Sequence, residues 1–245
     1  MGRMAGQARR LGLEVKEFSQ VEKISCDGAF FETEADAESY RSTGLIVAIG
    51  TEPLKLGIPG EDALLGRGIS YCATCDGMFF RDLEVAVVGG GDAALSEALT
   101  LANITGKVYL IHRRDRLRAQ QILQDRAAGN RKIELMLNQI PLRINGSTQV
   151  ESMTLRDTRT NAESELEVSG VFFYVGSRPE TAFLGSLVER DNTGFILTDE
   201  NLATKTPGLF AAGDVRRKLL RQISTAVGDG ALAAVRLEKY VLEKR

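Results

Sequence analysis

Residues 85–94 read VAVVGGGDAA, an apolar strand that runs into a glycine turn and the start of a helix. The turn fits the pattern G-x-G-x-x-A, in which Gly89 permits the tight turn, Gly91 lets the backbone approach a pyrophosphate, and Ala94 lets helix and strand pack closely. The N-terminus of the helix offers free N–H groups and a positive dipole to phosphates. The stretch therefore predicts a dinucleotide site, and the alternative is a glycine-rich turn without a ligand. The candidate contacts are Gly89, Gly90, Gly91, Asp92, Ala93 and Ala94.

The end of the next strand indicates which nucleotide would bind. An acidic residue about 20 positions after the first glycine commonly holds the ribose 2′-hydroxyl of NAD. This chain instead has His112-Arg113-Arg114 there, followed by Arg118. A cluster of cations suits a 2′-phosphate and so favours NADPH over NADH. The alternative is a solvated charged loop in which Asp115 neutralises one arginine.

A C-x-x-C motif, Cys72-Ala73-Thr74-Cys75, precedes the glycine turn. A structural zinc ion would need two further ligands, and only Cys26 and His112 remain. Two intervening residues permit a reversible disulfide, and such motifs lower thiol pKa values. Asp76 is a candidate proton shuttle for the departing thiolate, and otherwise a turn residue before Gly77. The motif therefore favours a redox dithiol over zinc or two inert thiols.

A flavin normally mediates between a nicotinamide, which delivers hydride, and a dithiol, which reacts through thiolates. The candidate flavin contact is the strand end Gly213-Asp214, whose carboxylate suits the hydroxyls of a ribityl chain; the alternative is an ordinary strand-end turn. Arg221 and Gln222 precede the last helix, and its N-terminus suits negative charge on a reduced flavin.

The composition excludes several classes of protein. The 245 residues carry 31 Lys and Arg against 33 Asp and Glu, a net charge of −2 that gives no reason to expect nucleic acid or a membrane surface as partner. A single histidine argues against multi-histidine metal centres, so no metal site is expected. Three cysteines are too few for a disulfide-stapled secreted domain. Without an apolar span or a leader, we expect a cytoplasmic protein.

The order of strands and helices predicts an α/β fold. Helices are expected at 4–11, 93–102 and 225–243. Strands are expected at 13–18, 21–25, 29–34, 44–50, 83–88, 108–111, 133–137, 150–156, 164–168, 171–175, 194–197 and 208–212. Glycine- and proline-rich stretches at 51–70 and 176–179 predict two crossings between domains. A central domain, 55–177, would then be inserted between 1–54 and 178–245.

Taken in order, CATCDG, GGGDAA, HRRDRLR and the tail from GLFAAGDV to RQISTAVGDGALAA resemble the bacterial-type, low-molecular-weight thioredoxin reductases. The resemblance runs along essentially the whole chain. It implies two Rossmann-like nucleotide-binding domains of the pyridine nucleotide-disulfide reductase type, with an NADPH domain (55–177) inserted in a discontinuous FAD domain (1–54 and 178–245).

The resemblance also implies roles for individual residues. Electrons would pass from NADPH through FAD and the dithiol to oxidised thioredoxin. Cys75 would face the flavin, Cys72 would attack thioredoxin, and Asp76 would be the acid–base partner. Arg113, Arg114 and Arg118, beside His112, would hold the 2′-phosphate. Gly213 and Asp214 would bind the ribityl chain, with Arg221, Gln222 and Ile223 near the flavin ring. Family members are commonly homodimers.

One departure from the family pattern is large. The family begins with its own G-x-G-x-x-G unit for FAD, and this chain has none before Gly89. We therefore expect an N-terminally truncated FAD domain that holds FAD poorly. The alternatives to a complete reductase are a flavin-free, NADPH-binding redox-sensing module and an inactive fragment. Another small redox protein in place of thioredoxin is a further alternative.

Overall fold

A computed structural model describes residues 2–244 and divides the chain into two compact units. The first unit comprises Met1–Glu52 and Arg178–Arg245, and the second comprises Pro53–Ser177. None of the helices in the described residues is long and apolar enough to cross a lipid bilayer.

The chain contains five α-helices and fifteen strands among these residues. The helices are α1 (Gly2–Arg10), α2 (Ala73–Asp76), α3 (Asp92–Ala102), α4 (Gln121–Ala128) and α5 (Ile223–Glu243). The strands are β1 (Val21–Cys26), β2 (Phe31–Ala35), β3 (Glu38–Ser42), β4 (Leu45–Val47), β5 (Glu52–Pro53), β6 (Ile69–Ser70), β7 (Glu84–Gly89), β8 (Lys107–His112), β9 (Ile133–Leu137), β10 (Gln139–Asn145), β11 (Ser152–Asp157), β12 (Glu163–Glu167), β13 (Gly170–Tyr174), β14 (Ser177–Arg178) and β15 (Leu209–Ala211). Three short 3₁₀ helices complete the secondary structure.

The second unit is built on a parallel five-stranded sheet in the order β6-β13-β7-β8-β9. The central strand β7 is buried on both faces, as its apolar run predicts. Val85 and Val87 pack into a core with α3, whereas Ala86 and Val88 pack into a second core on the other face. An antiparallel sheet in the order β10-β11-β12 contributes Ile144, Met153 and Leu155 to this second core. The glycine turn therefore leaves the sheet at its carboxyl edge.

The first unit contains an antiparallel sheet, β1-β2-β3, and a parallel pair, β15-β4. Its main core gathers Phe31, Val47, Leu184, Ile196 and Leu209. Asp27 and Gly28 form the hairpin turn between β1 and β2, in which the Asp27 carboxylate accepts the N–H groups of Ala29 and Phe30 at 2.8 and 2.7 Å. The β15-β4 pair directs the chain toward Gly213 and Asp214.

Several predicted elements differ from the structure. Residues 13–18 do not form a strand, since Leu13, Val15 and Phe18 are exposed and no neighbouring strand in residues 2–244 pairs with them. Residues 194–197 form only isolated bridges through Ile196. The elements that were not predicted are α2, α4, β3, β5, β6, β10 and β14. The glycine turn, α3, β8, β9 and α5 lie where they were predicted, to within one or two residues.

Candidate active site

The glycine turn joins β7 to α3, with Gly91 at the N-cap of the helix. A Cβ at Gly89 would lie 2.6 Å from the Ala94 Cβ and 2.7 Å from the carbonyl oxygen of Tyr174. A Cβ at Gly91 would meet nothing within 4 Å. Gly89 is therefore needed for close packing, whereas Gly91 faces open space where a pyrophosphate can approach.

His112 lies beneath the glycine turn and is only 6% exposed. A Cβ added at Gly90 would collide with its imidazole ring. Burial lowers the pKa of His112, and the charges of the neighbouring arginines lower it further. The ring is therefore neutral at physiological pH, and its Nε2–H donates to the carbonyl oxygen of Arg116 at 3.1 Å, since a carbonyl can only accept. His112 thus supports the loop that carries the arginines.

The arginine loop also folds back onto the glycine turn. The backbone N–H groups of Arg118 and Ala119 both donate to the carbonyl oxygen of Gly90, at 2.7 and 3.1 Å. Asp92, which was predicted to contact the cofactor, accepts the backbone N–H of Gln120 at 2.7 Å and its side-chain amide at 3.0 Å. These bonds lower the pKa of Asp92. The Asp92 carboxylate therefore ties the loop to the start of α3. Ala93 is exposed in the first turn of that helix.

Arg113, Arg114 and Arg118 are all exposed. None of the three forms an ion pair with a carboxylate within the described chain, and Asp115 neutralises none of them. Arg113 and Arg118 line a cavity of about 380 Å³ together with Gly89, Gly90 and His112. The glycine turn, which a phosphate can approach, and two arginines that form no ion pair with the described residues therefore line the same cavity. A larger depression of about 810 Å³ lies along α3 and α4, and it contains none of the predicted site residues.

Cys72 and Cys75 form a disulfide at α2, with their Cα atoms 5.3 Å apart. Cys72 is the N-cap of α2, and its Sγ accepts the backbone N–H of Cys75 at 3.2 Å. Cys72 is half-buried, and Cys75 is exposed in this unit. An N–H donor at a helix start stabilises negative charge on sulfur, which favours Cys72 as the thiolate after reduction.

Two further side chains, neither of them predicted from the sequence, hold the dithiol segment. The Ser70 hydroxyl lies 2.6 Å from Oδ2 of Asp76 and accepts the N–H of Cys72 at 3.0 Å. The Tyr174 hydroxyl accepts the N–H of Ala73 at 2.7 Å, and its pKa is raised by burial first and by its acidic neighbours second. Tyr174 also lines the 380 Å³ cavity. The second unit therefore joins the dithiol directly to the nucleotide cavity.

The first unit holds the predicted flavin contacts. Gly213 has φ of +76°, a left-handed conformation that favours glycine. Oδ1 of Asp214 is buried without a hydrogen-bond partner. The Arg221 guanidinium donates to the carbonyl oxygen of Asp214 at 3.4 Å and lies 4.0 Å from the centre of the Phe195 ring. Burial lowers the pKa of Arg221. These residues form one cluster at the carboxyl end of β15.

The start of α5 completes this cluster. Gln222 is the N-cap of α5 and forms a capping box with Thr225, and Ile223 is the first residue of the helix and 67% exposed. Asp229, inside the helix, accepts the N–H of Gly213 at 3.0 Å and pairs with Lys218 at 2.8 Å. The helix is thus fixed to the Gly213 turn by the Asp229 carboxylate, whose side chain is 17% exposed.

Arg216 is a further missed residue of this cluster. Its Nε lies 3.6 Å from Oδ2 of Asp229, while Nε and Nη1 are buried and form no hydrogen bond. Two cations therefore face one carboxylate there. The only signal in the sequence was the run of basic residues after Asp214.

Comparison with known proteins gives a consistent result. A family model described as pyridine nucleotide-disulphide oxidoreductase matches residues 4–230. A thioredoxin reductase of Listeria innocua is 46% identical over 243 residues, which are 98% of this chain and 76% of that relative. A thioredoxin reductase of Treponema pallidum is 43% identical over 238 residues, which are 97% of this chain and 77% of the relative.

Solved structures agree with the sequence relatives. The crystal structure of a thioredoxin reductase from Streptococcus pyogenes superposes with a TM-score of 0.91 at 40% identity, covering 99% of this chain and 79% of that one. A thioredoxin reductase from Giardia duodenalis superposes with a TM-score of 0.92 at 31% identity, covering 98% of this chain and 80% of that one.

Proposed function

Because the chain belongs to the thioredoxin reductases of the pyridine nucleotide-disulphide oxidoreductase family, we propose that it passes electrons from NADPH, through FAD and the Cys72–Cys75 disulfide, to oxidised thioredoxin. The observation that carries this proposal is the disulfide itself, which lies in the same compact unit as the glycine turn and the arginine loop. We assign residues 55–177 as the NADPH-binding domain and residues 1–54 and 178–245 as parts of the FAD domain.

NADPH binding rests on the second unit. The open face at Gly91 and the start of α3 suit the pyrophosphate. Arg113, Arg114 and Arg118 suit the 2′-phosphate, since arginine donates paired hydrogen bonds to phosphate oxygens and these three have no competing carboxylate in residues 2–244. His112 acts indirectly, by supporting the loop at Arg116.

The residues of the first unit fit a flavin. Buried polar atoms without a hydrogen-bond partner are rare, and Oδ1 of Asp214 and Nε and Nη1 of Arg216 are such atoms. We assign Asp214 to the ribityl hydroxyls, with Gly213, Arg221, Gln222 and Ile223 near the flavin ring. When bound, FAD converts the hydride of NADPH into two electrons that a disulfide can accept.

The dithiol then carries the reaction to the partner. Two electrons and one proton break the Cys72–Cys75 bond and leave Cys72 as a thiolate and Cys75 as a thiol. The Cys72 thiolate attacks the disulfide of thioredoxin, forms a mixed disulfide and releases one thioredoxin sulfur as a thiolate. Cys75 loses its proton to Asp76 and attacks Cys72, which restores the disulfide and expels the second thioredoxin sulfur as a thiolate. The two thioredoxin thiolates then take up one proton from Asp76 and one from solvent, which gives reduced thioredoxin.

Two exposed apolar surfaces support the proposed partners. Met78 and Phe79, directly after the dithiol segment, are 55% and 80% exposed and suit docking of a small redox protein. On α5, Val235 and Leu242 are 62% and 59% exposed, which supports a homodimer through the first unit. We assign the reaction to the cytoplasm, because cytoplasmic reductants keep thiols reduced and cytoplasmic disulfides are usually transient and catalytic.

The proposal is tested by following NADPH oxidation by the purified chain with FAD and oxidised thioredoxin. We expect turnover that requires all three components and is abolished by Cys72→Ser. Conversion of Cys26→Ser, the matched control, should leave the rate unchanged because Cys26 lies outside the dithiol. Turnover that persists in Cys72→Ser would contradict the proposal.

A second candidate function is an NADPH-binding redox-sensing module without flavin. It is favoured by one observation: the glycine turn, the arginines and the dithiol all lie within Pro53–Ser177. Under this reading NADPH binds and the dithiol changes oxidation state, but no thioredoxin is reduced whether or not FAD is added. The same turnover assay therefore separates the two functions.

A further inference from the structure

We propose that Ser70 is a positioning residue for the dithiol chemistry, one that holds the Asp76 carboxylate and the backbone of Cys72 in a fixed arrangement. The inference rests on the proposed function in one respect, the acid–base role of Asp76. The contacts of Ser70 themselves are independent of that role.

Ser70 is rigidly placed. It ends β6 in the parallel sheet, pairs in register with Phe172 of β13, and is only 4% exposed. Its hydroxyl oxygen lies 2.6 Å from Oδ2 of Asp76, 3.0 Å from the N–H of Cys72 and 3.4 Å from the Cys72 carbonyl oxygen. A hydroxyl has one proton, and the shorter distance and the charged acceptor direct it to Asp76. Ser70 therefore accepts from Cys72 and donates to Asp76 at the same time.

Asp76 has no alternative anchor. Within residues 2–244 its carboxylate forms no ion pair and no hydrogen bond other than the one with Ser70. It lies at the last residue of the four-residue helix α2, which offers little rigidity of its own. Without the hydroxyl, the carboxylate would be free to change rotamer. The sheet therefore positions Asp76 through Ser70.

This arrangement matters most when the dithiol closes. In the mixed disulfide, Cys72 is bonded to a sulfur of the partner molecule. The Cys75 thiol must lose a proton before its sulfur bonds to Cys72, and the partner's sulfur then departs with the electron pair of its bond to Cys72. A carboxylate held in one place accepts that proton more effectively than a mobile one. The Ser70 hydroxyl can accept as well as donate, so it holds Asp76 before and after proton transfer.

The test uses the full chain, reduced chemically and freed of reductant, and the aromatic disulfide 5,5′-dithiobis(2-nitrobenzoate), which needs neither NADPH nor FAD. One thiol of the pair first forms a mixed disulfide and releases one thionitrobenzoate. The second thiol then closes the Cys72–Cys75 bond and releases another, so two thiols are oxidised, one reagent is reduced and two protons are released. Cys26 adds a separate signal that serves as an internal reference.

We expect Ser70→Ala to slow the closing phase about tenfold, a part of the roughly 10²- to 10⁴-fold that general acid–base catalysis supplies. Ser70→Thr, which keeps the hydroxyl, should restore it. Ser152→Ala is the matched control, because Ser152 is also buried and donates to a carboxylate, that of Glu165, away from the dithiol. Its closing phase should equal that of the unmodified chain. In an Asp76→Asn background, Ser70→Ala should cause no further slowing.

Each other result of these rate measurements contradicts one step of the proposal. Slow closure in Asp76→Asn with normal closure in Ser70→Ala refutes the positioning role and leaves the proposed function intact. Normal closure in Asp76→Asn refutes the acid–base role of Asp76. Slowing by Ser70→Ala that adds to that of Asp76→Asn shows that Ser70 acts without Asp76.

A second measurement tests the same link between Ser70 and Asp76 without the Ser70→Ala variant, in case that variant does not fold. Asp76→Asn should move the amide proton resonance of Cys72 upfield, since Asp76 polarises the hydroxyl that accepts this N–H. An unmoved Cys72 resonance contradicts the proposed link.

Discussion

The arginine loop allows a quantitative prediction about nucleotide selectivity. Arg113 and Arg114 are exposed, and neither is neutralised by a carboxylate in residues 2–244, so both are available to a 2′-phosphate. A hydrogen bond to a charged group contributes about 1.5–3 kcal/mol, and solvent exposure favours the lower end. Removing both with Arg113→Ala and Arg114→Ala should therefore weaken NADPH binding by about 3 kcal/mol, or about a hundredfold in Kd.

NADH lacks the 2′-phosphate, and its Kd should stay within about twofold. Isothermal titration calorimetry with both nucleotides gives the selectivity ratio directly. The matched control is Arg126→Ala with Arg131→Ala, which removes two exposed arginines of the same unit that line the 810 Å³ depression instead. Equal weakening of NADPH and NADH, or an unchanged NADPH Kd, would refute the assignment of the 2′-phosphate to this loop.

Three further predictions concern single side chains. Gly90→Ala should lower the free energy of unfolding by about 1–3 kcal/mol because its Cβ meets the His112 ring, which thermal unfolding checks. Gly91→Ala should leave the melting temperature unchanged but weaken NADPH binding, which calorimetric titration checks. Because the pKa of His112 is lowered in the folded chain, the unfolded chain binds a proton more readily, and the free energy of unfolding should fall as pH drops below about 6.5. His112→Asn should make the melting temperature depend less steeply on pH in this range. An unchanged pH dependence of the melting temperature would contradict this prediction. Cys75→Ser should trap a mixed disulfide between Cys72 and thioredoxin on non-reducing gels, and Cys72→Ser should not; trapping by Cys72→Ser instead would reverse the assigned roles.

The local motifs could be predicted because their chemistry is contained in a few adjacent residues. The turn at Gly89–Gly91 follows a strand whose residues are apolar on both faces, so its position needed no knowledge of the rest of the fold. By contrast, α4 has a weak signal: its N-cap, Gln120, makes no side-chain capping bond, and only Ala127 is fully buried. For residues 13–18 a strand was predicted where none forms, because a strand-like pattern of residues becomes a strand only when a neighbouring strand pairs with it.

The supporting residues of the site could not be predicted because their contacts are long-range. Tyr174 binds the N–H of Ala73 from 101 residues away. Asp229 reaches Gly213 from inside α5, across 16 residues. Nothing in the motif indicated that the Asp92 carboxylate accepts two hydrogen bonds from Gln120, which lies 28 residues away. Sequence pattern identifies residues that are near a ligand, but tertiary packing decides which of them still have free hydrogen-bonding groups.

The proposed function requires that electrons from NADPH arrive at the Cys72–Cys75 disulfide. The most direct measurement adds NADPH anaerobically to the purified chain with FAD and counts free thiols by alkylation and mass spectrometry. We expect Cys72 and Cys75 to be alkylated with NADPH and to remain unmodified without it, while Cys26 is alkylated in both samples. Bleaching of the flavin absorbance with the disulfide left intact would contradict the proposed function, because electrons would then reach the flavin and not the dithiol.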